Sequence, residues 1–129
     1  MVDRPRVEVT QEVLQFLTDY IDTVPHLEAL LLLWENPDTT WSEAEIASRI
    51  YVRPETVAEI LRGFVRRGFA KNPEGGGFRY ESEWDRRGTM ANVANAYRQN
   101  LIPVSTFIHS KSSSSLREFA RAFEFKRDR

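Results

Sequence analysis

Residues 41–80 read WSEAEIASRIYVRPETVAEILRGFVRRGFAKNPEGGGFRY. Two short segments with apolar residues at helical spacing meet in this stretch at residues 50–54, IYVRP, and a glycine-rich turn follows them. A connection this short brings two amphipathic helices into close packing, and the turn that follows joins two short strands. The stretch therefore predicts two packed helices followed by a β-hairpin.

The bounds of both helices are marked by local signals. Ser42 with Glu45 forms a capping box, in which the hydroxyl accepts from the third helical amide and the carboxylate accepts from the cap amide. Pro54 suits the first turn of the second helix, and Gly68 suits its end, where a left-handed residue is needed. We expect helices that begin at Glu43 and at Pro54.

The hairpin is predicted from residues 69–72 and 78–81, which flank the turn sequence PEGGG at residues 73–77. The glycines are not a phosphate loop, because no apolar strand precedes them and no helix follows. Helix, turn, helix and hairpin in this order make a winged helix-turn-helix. The expected fold class is mainly α with a small β-hairpin, flanked by N- and C-terminal helices.

The flanking segments also carry helical patterns. Thr10 is placed to cap a first helix, and Pro25 to open a second one whose leucines make it apolar nearly all round. A third pattern follows Trp84, and Pro103 should interrupt or kink it. Residues 110–115 read as a polar hinge, and Ser115 opens a terminal helix. We expect a flexible arm at residues 1–9, a winged-helix domain at 10–82, and a C-terminal helical extension at 83–129 that serves dimerisation.

Composition narrows the classes of function. The chain has no cysteine, which excludes disulfides, thiolate nucleophiles and cysteine-based zinc sites. Its longest apolar run, residues 29–34, is far too short to span a bilayer, and no signal segment is recognisable, so a cytoplasmic protein without membrane association is expected. Residues 1–40 contain eight acidic residues and two arginines, so residues 41–129 carry a net charge of +5.

Catalytic and metal chemistry find no support in the pattern. His26 and His109 are the only histidines, and neither has a partner at ligand spacing. No serine lies in a nucleophile-elbow context. We therefore predict no enzyme activity, no metal and no cofactor.

Residues 45–57, EIASRIYVRPETV, with the apolar positions and hairpin that follow, resemble bacterial winged helix-turn-helix domains of the MarR-like kind. The resemblance covers about a third of the chain. It implies a transcription regulator in which the helix from Pro54 enters the DNA major groove and the hairpin reaches the backbone or minor groove. The residues that it implies for binding double-stranded DNA are Arg49, Arg53, Thr56, Arg62, Lys71 and Arg79.

Four residues depart from that pattern. Tyr51 stands where the family commonly has glycine, so the turn must accept a positive backbone angle or take another shape. Arg53 stands where a capping hydroxyl is usual. Glu55 and Glu59 lie on the outer face of the second helix, where they repel phosphates unless they meet base amino groups.

Two functions from different classes follow. The first is a homodimeric, non-catalytic DNA-binding regulator. The second is a winged-helix adaptor that does not bind DNA and uses Glu55, Glu59 and its terminal helices to dock a protein partner. A third hypothesis adds a small ligand in a pocket between the helical parts, whose aromatic residues are Trp34, Trp41, Trp84, Tyr97 and Phe107. The alternative, which general experience favours, is that these residues pack in the core.

Overall fold

The structure is a computed structural model that describes residues 9–112 of the 129-residue chain. It confirms the fold class, because six helices and one two-stranded antiparallel sheet make up the described part. The elements in chain order are α1 (Gln11–Tyr20), α2 (Val24–Glu35), α3 (Glu43–Ile50), α4 (Pro54–Arg67), β1 (Ala70–Lys71), β2 (Arg79–Tyr80), α5 (Thr89–Gln99) and α6 (Leu101–Ser112).

The chain divides into two compact units. One is Pro25–Ala91, and the other joins the described residues of Met1–Val24 with those of Asn92–Arg129. The predicted domain bounds, 10–82 and 83–129, stay a prediction. Residues 1–8 of the expected arm and the expected terminal helix from Ser115 lie outside the described residues.

Helix α3 begins where the sequence predicts, because both halves of the capping box form. The Glu45 amide donates to the Ser42 hydroxyl at 3.1 Å, and the Ser42 amide donates to the Glu45 carboxylate at 2.8 Å. Helix α4 begins at Pro54 and ends at Gly68, which has a φ of 81°. The signals that set the bounds of both helices are thus confirmed.

The turn between α3 and α4 keeps its tight shape without glycine. Tyr51 adopts φ 62° and ψ 44°, which is left-handed backbone, and its amide donates to the carbonyl of Ala47. Of the two alternatives that the sequence left for this turn, the strained one is present. Arg53 is the N-cap residue of α4 and makes no side-chain cap, as expected from the missing hydroxyl.

The core of the Pro25–Ala91 unit centres on α2 and α4. Helix α2 buries Leu27, Ala29, Leu30, Leu31 and Leu33, which agrees with a helix that is packed on several sides. Helix α4 buries Val57, Leu61 and Phe64. Aromatic rings then connect the two helices with the hairpin and the loop after it, in the order His26, Phe64, Phe69, Trp84 and Tyr80, with centroids 4.4 to 6.4 Å apart.

The hairpin forms a short antiparallel sheet in which Ala70 pairs with Tyr80 and Lys71 with Arg79. Its strands are shorter than expected. One further bridge joins Trp41, just before α3, to Phe78, through two backbone hydrogen bonds of 2.8 Å. The hairpin is therefore held to the segment that leads into α3, which is the strand arrangement of a winged helix.

In the other unit, α1 contacts α6, and one lysine joins their ends. Lys111 Nζ donates to the carbonyls of Leu17, Thr18 and Ile21 at 2.8, 2.6 and 2.6 Å. It also lies 3.8 Å from the Asp22 carboxylate. These carbonyls lie at the C-terminal end of α1, where backbone carbonyls run out of helical partners, although that of Leu17 also accepts from the Ile21 amide at 3.1 Å. The ammonium group therefore satisfies the end of the helix and complements its dipole.

Two expectations for the C-terminal helices need correction. The helical pattern after Trp84 is interrupted at Asn100, three residues before Pro103, which lies in the first turn of α6 where its missing amide costs little. The expected hinge does not begin at Ser110, because α6 continues to Ser112. Residues 113–115 of that hinge lie outside the described residues. Every helix in the described part is too short or too polar to cross a bilayer.

Substituting Lys111 with methionine should destabilise the fold by about 2 kcal/mol, because three carbonyls, two of them in part-buried hydrogen bonds, lose a charged donor. Lys71→Met is the matched control: that lysine is 51% exposed and has one ion pair at 3.6 Å, so its loss should cost about 0.5 kcal/mol or less. Guanidinium unfolding monitored by circular dichroism measures both. Equal midpoints for the two variants would contradict the role given to Lys111.

Candidate nucleic-acid interface

All six residues expected to bind DNA lie in the Pro25–Ala91 unit. Arg49 lies in the last turn of α3, and Arg53 lies in the turn before α4. Thr56 and Arg62 lie on α4, Lys71 on β1 and Arg79 on β2. Five of the six are exposed, and Arg79 is half-buried.

Thr56 and Arg62 do not share a face of α4. They are six residues apart, which places them about 120° apart around a helix that turns about 100° per residue. The buried residue Val57 directly follows Thr56, so the threonine lies at the edge of the exposed surface. Both side chains can contact the same DNA groove only if the walls of that groove lie on two sides of the helix.

Arg62 belongs to a stripe of four exposed charged residues along one face of α4, here called the outer stripe: Glu55, Glu59, Arg62 and Arg66. The predicted outward position of Glu55 and Glu59 is confirmed. Acids precede bases along the stripe, which is the order that the helix dipole favours. Arg66 was not expected at the interface, although its spacing of four residues from Arg62 already indicates the same face.

Arg49 makes a contact that the sequence did not indicate. Its guanidinium carbon lies 5.3 Å from the centre of the Trp41 ring, in a cation–π arrangement. Trp41 is 6% exposed, so the aromatic partner is fixed by the core. The two residues also line a shallow depression of about 350 Å³, together with Ala44, Glu45 and Ser48. The arginine is thus held at the end of α3 near the start of the wing.

The wing brings Lys71 and Arg79 together as directly opposed residues of the two strands. Directly opposed like charges on a strand pair are unfavourable without a counter-charge. Glu81 supplies part of it, because its carboxylate lies 3.6 Å from Lys71 Nζ. Arg79 Nε is buried and has no hydrogen-bond partner among the described residues, so only part of this guanidinium is available to an outside anion.

The turn of the wing is tied by Asn72, whose side-chain amide donates to the carbonyl of Gly77. Gly77 has a φ of 83°, and a Cβ there would lie 2.6 Å from the Thr40 methyl group and 3.0 Å from the Trp41 carbonyl oxygen. The close approach is required by the bridge between Trp41 and Phe78. The glycine therefore serves both the turn and the packing of the wing.

The aromatic residues considered as a ligand pocket are in part accounted for by packing. The Trp84 ring packs at a tilt against that of Phe69, with the centroids 4.4 Å apart, and the Trp41 ring lies against the guanidinium of Arg49. Burial raises the pKa of the Tyr80 phenol far above its usual range, and the nearby Asp85 carboxylate raises it further, so this residue stays neutral. The ligand hypothesis itself stays a prediction. Within the described residues, no group of three or more histidine, aspartate or glutamate side chains is placed to hold a metal ion.

Comparisons with known proteins give a distant likeness to a solved structure. No family model matches the chain, and no curated protein matches it. A MarR family protein of Mycobacterium tuberculosis, known from its crystal structure, is similar over 88% of this chain and 80% of that one, with 22% identity and a TM-score of 0.46. At this distance, the description of the chain as a winged helix rests on its own elements.

Substituting Gly77 with alanine should destabilise the wing by about 2–3 kcal/mol, because the methyl group meets backbone in addition to the strained φ. Gly75→Ala is the matched control, since Gly75 has a φ of 97° and nothing within 4 Å of its Cβ position. Thermal unfolding of both variants isolates the contacts with Thr40 and Trp41. If the Gly75 variant loses as much stability as the Gly77 variant, the close approach does not hold the wing.

Proposed function

We propose that this chain is a cytoplasmic winged-helix transcription regulator that binds double-stranded DNA as a homodimer and catalyses no reaction. The observation that supports it most is the placement of basic residues on both sides of α4 within one compact unit. Arg49 and Arg53 precede the helix at its turn, and Lys71 and Arg79 follow it on the wing. A helix that enters the major groove is flanked in this way by phosphates.

The roles follow from position and chemistry. Arg53 is exposed, and its side chain makes no capping hydrogen bond at the start of α4, so the guanidinium is available to bind a phosphate. Arg49 binds a second phosphate from its platform on Trp41. Thr56 and Arg62 contact base edges or backbone on the two sides of α4, and Lys71 and Arg79 contact backbone from the wing.

A second copy supplies what one copy lacks. A specific complex commonly neutralises about six to ten phosphates, whereas one copy offers at most six basic side chains at this surface, of which Arg79 is half-buried. Apolar surface suited to a partner is present on α6, where Leu101 is 53% exposed and Ile102 is 72% exposed. Covering these side chains in a dimer removes them from water and doubles the number of phosphate contacts.

The alternative, a protein-binding adaptor, is favoured by one observation. Glu55 and Glu59 occupy the first half of the outer stripe and are exposed, at the part of α4 that enters a groove first. A basic protein surface would accept them, whereas phosphates repel them. DNA binding is compatible with these acids only where they meet amino groups of bases, such as that of cytosine.

Binding to a mixed-sequence DNA duplex, measured by fluorescence anisotropy at several salt concentrations, tests the proposal. Phosphate contacts carry no sequence information, so the natural site need not be known. A dimer should lose about 10³-fold or more in affinity between about 50 and 200 mM salt. Arg53→Ala should make the slope of log K against log salt shallower by about 1 per copy, whereas the control Arg98→Ala on α5 should leave it unchanged. No binding to any duplex at low salt would refute the proposal.

The two functions are separated by Glu59→Gln. If DNA lies along the outer stripe, removing this negative charge should strengthen binding to a mixed-sequence duplex by about three- to fivefold at low salt, because such a duplex is not selected to place a base amino group opposite Glu59 and a repulsion disappears. The control is Asp38→Asn, which makes the same charge change at an exposed residue in the loop between α2 and α3. Equal effects of both substitutions would mean that the stripe does not face DNA, and would favour the adaptor.

A further inference from the structure

Tyr51 is the only non-glycine residue with a positive φ among residues 9–112. With φ 62° and ψ 44°, its Cβ crowds the backbone, and this conformation costs free energy for every residue except glycine. Strained residues of this kind persist where the surroundings require them, and they cluster at functional sites. The question is therefore whether the fold or a partner requires this tyrosine.

The fold requires the conformation and makes no use of the side chain. The amides of Tyr51 and Val52 both donate to the carbonyl of Ala47, at 2.9 and 3.2 Å, and these two bonds end α3. Any residue supplies the same backbone amides. Glycine would supply them without the strain, and it is the usual residue at such helix ends.

The ring does not stabilise the fold by packing, since Tyr51 is 91% exposed. The other described tyrosines differ from it. Tyr80 and Tyr97 are 5% and 8% exposed, and Tyr20 packs its ring 5.2 Å from that of Phe16. A tyrosine at a strained position, with its ring in water, is left with a role at the surface.

We infer that the Tyr51 phenol donates a hydrogen bond to a phosphate oxygen of bound DNA; this inference rests on the proposed function. The residue lies in the same turn as Arg53, two positions before it, and both are exposed. The turn thus presents one neutral donor and one cationic donor at the start of α4. Tyrosine hydroxyls and arginines are both common donors to phosphate oxygens.

The neutral donor gives the inference its own signature. A cation that binds a phosphate releases counterions, so its loss changes the salt slope, whereas a phenol releases none. Loss of the Tyr51 hydroxyl should therefore lower affinity by the same factor at every salt concentration. Loss of Arg53 should lower affinity most at low salt.

The experiment measures the full-length protein with two substitutions, by fluorescence anisotropy with a mixed-sequence duplex and by thermal unfolding. Tyr51→Phe keeps the ring and should weaken binding about tenfold with an unchanged salt slope. Tyr51→Gly should weaken binding at least as much, while the removal of strain raises Tm by about 2–4 °C. Tyr20→Phe, which removes a phenol from α1, should leave the affinity for the duplex unchanged.

Each result decides the inference. Weaker binding by both variants, with an unchanged slope and no loss of stability in Tyr51→Gly, supports it. Wild-type affinity in either variant overturns it and leaves the proposed function standing, as expected if the ring serves a protein partner instead. A lower Tm for Tyr51→Gly also overturns it, because the ring would then serve the fold. Failure of the unmodified protein to bind any duplex refutes the proposed function itself.

Discussion

The pair of backbone hydrogen bonds between Trp41 and Phe78 is the constraint on which this winged helix depends. Both bonds are 2.8 Å long, and they join the residue before the α3 capping box to the start of the second strand of the wing. Helices α3 and α4 lie in sequence between these two points. The bridge therefore closes a loop around both helices and fixes where the wing begins. Gly77 is needed beside it, because a side chain there would meet the Trp41 backbone.

The same backbone bridge fixes the position of the Trp41 side chain. This side chain is buried, and its ring lies against the guanidinium of Arg49. Arg53 is the opposite case, because it stands at the N-cap of α4 and leaves that cap without a side-chain acceptor, which usually costs about 1 kcal/mol. Pro54 and Glu55 offset part of this cost, since proline lacks the amide that would be unsatisfied and the acid complements the helix dipole. An exposed cation thus replaces a capping group, and the adjacent acid keeps the helix start stable.

The fold was predictable wherever the signals are local. Capping at Ser42, the helix start at Pro54 and the helix end at Gly68 depend on groups within a few residues of each other, so the sequence alone reveals them. Contacts between distant parts of the chain were not predictable. Lys111 binds carbonyls about ninety residues earlier, and the expectation of a hinge from Ser110 failed because that contact holds the last turn of α6 in place despite its serines.

The features of the candidate site also fall into those that local sequence predicts and those that it does not. The exposure of Glu55 and Glu59 follows from helical period, and the separation of Thr56 from Arg62 was equally available from the count of residues between them. The support of Arg49 by Trp41 was not, because the two residues are eight apart and lie in different elements. The left-handed turn at Tyr51 was foreseen only as one of two shapes. The sequence does not give the backbone angle of Tyr51, and it is the positive φ in the structure that identifies this residue as strained.

The charge balance decides how such a module would bind. Pro25–Ala91 contains nine arginines and lysines and eleven acids, so the whole unit is slightly negative although its helix-turn-helix and wing are slightly positive. General attraction to DNA is then weak, and long-range steering contributes little. If the module binds DNA as proposed, its affinity would come from a few contacts with fixed geometry, and neutral donors such as Tyr51 and Thr56 would carry a larger share of it than in a strongly basic domain. Such a module would gain specificity from repulsion, because a duplex that does not place base amino groups opposite Glu55 and Glu59 would be disfavoured by the same acids that stabilise α4.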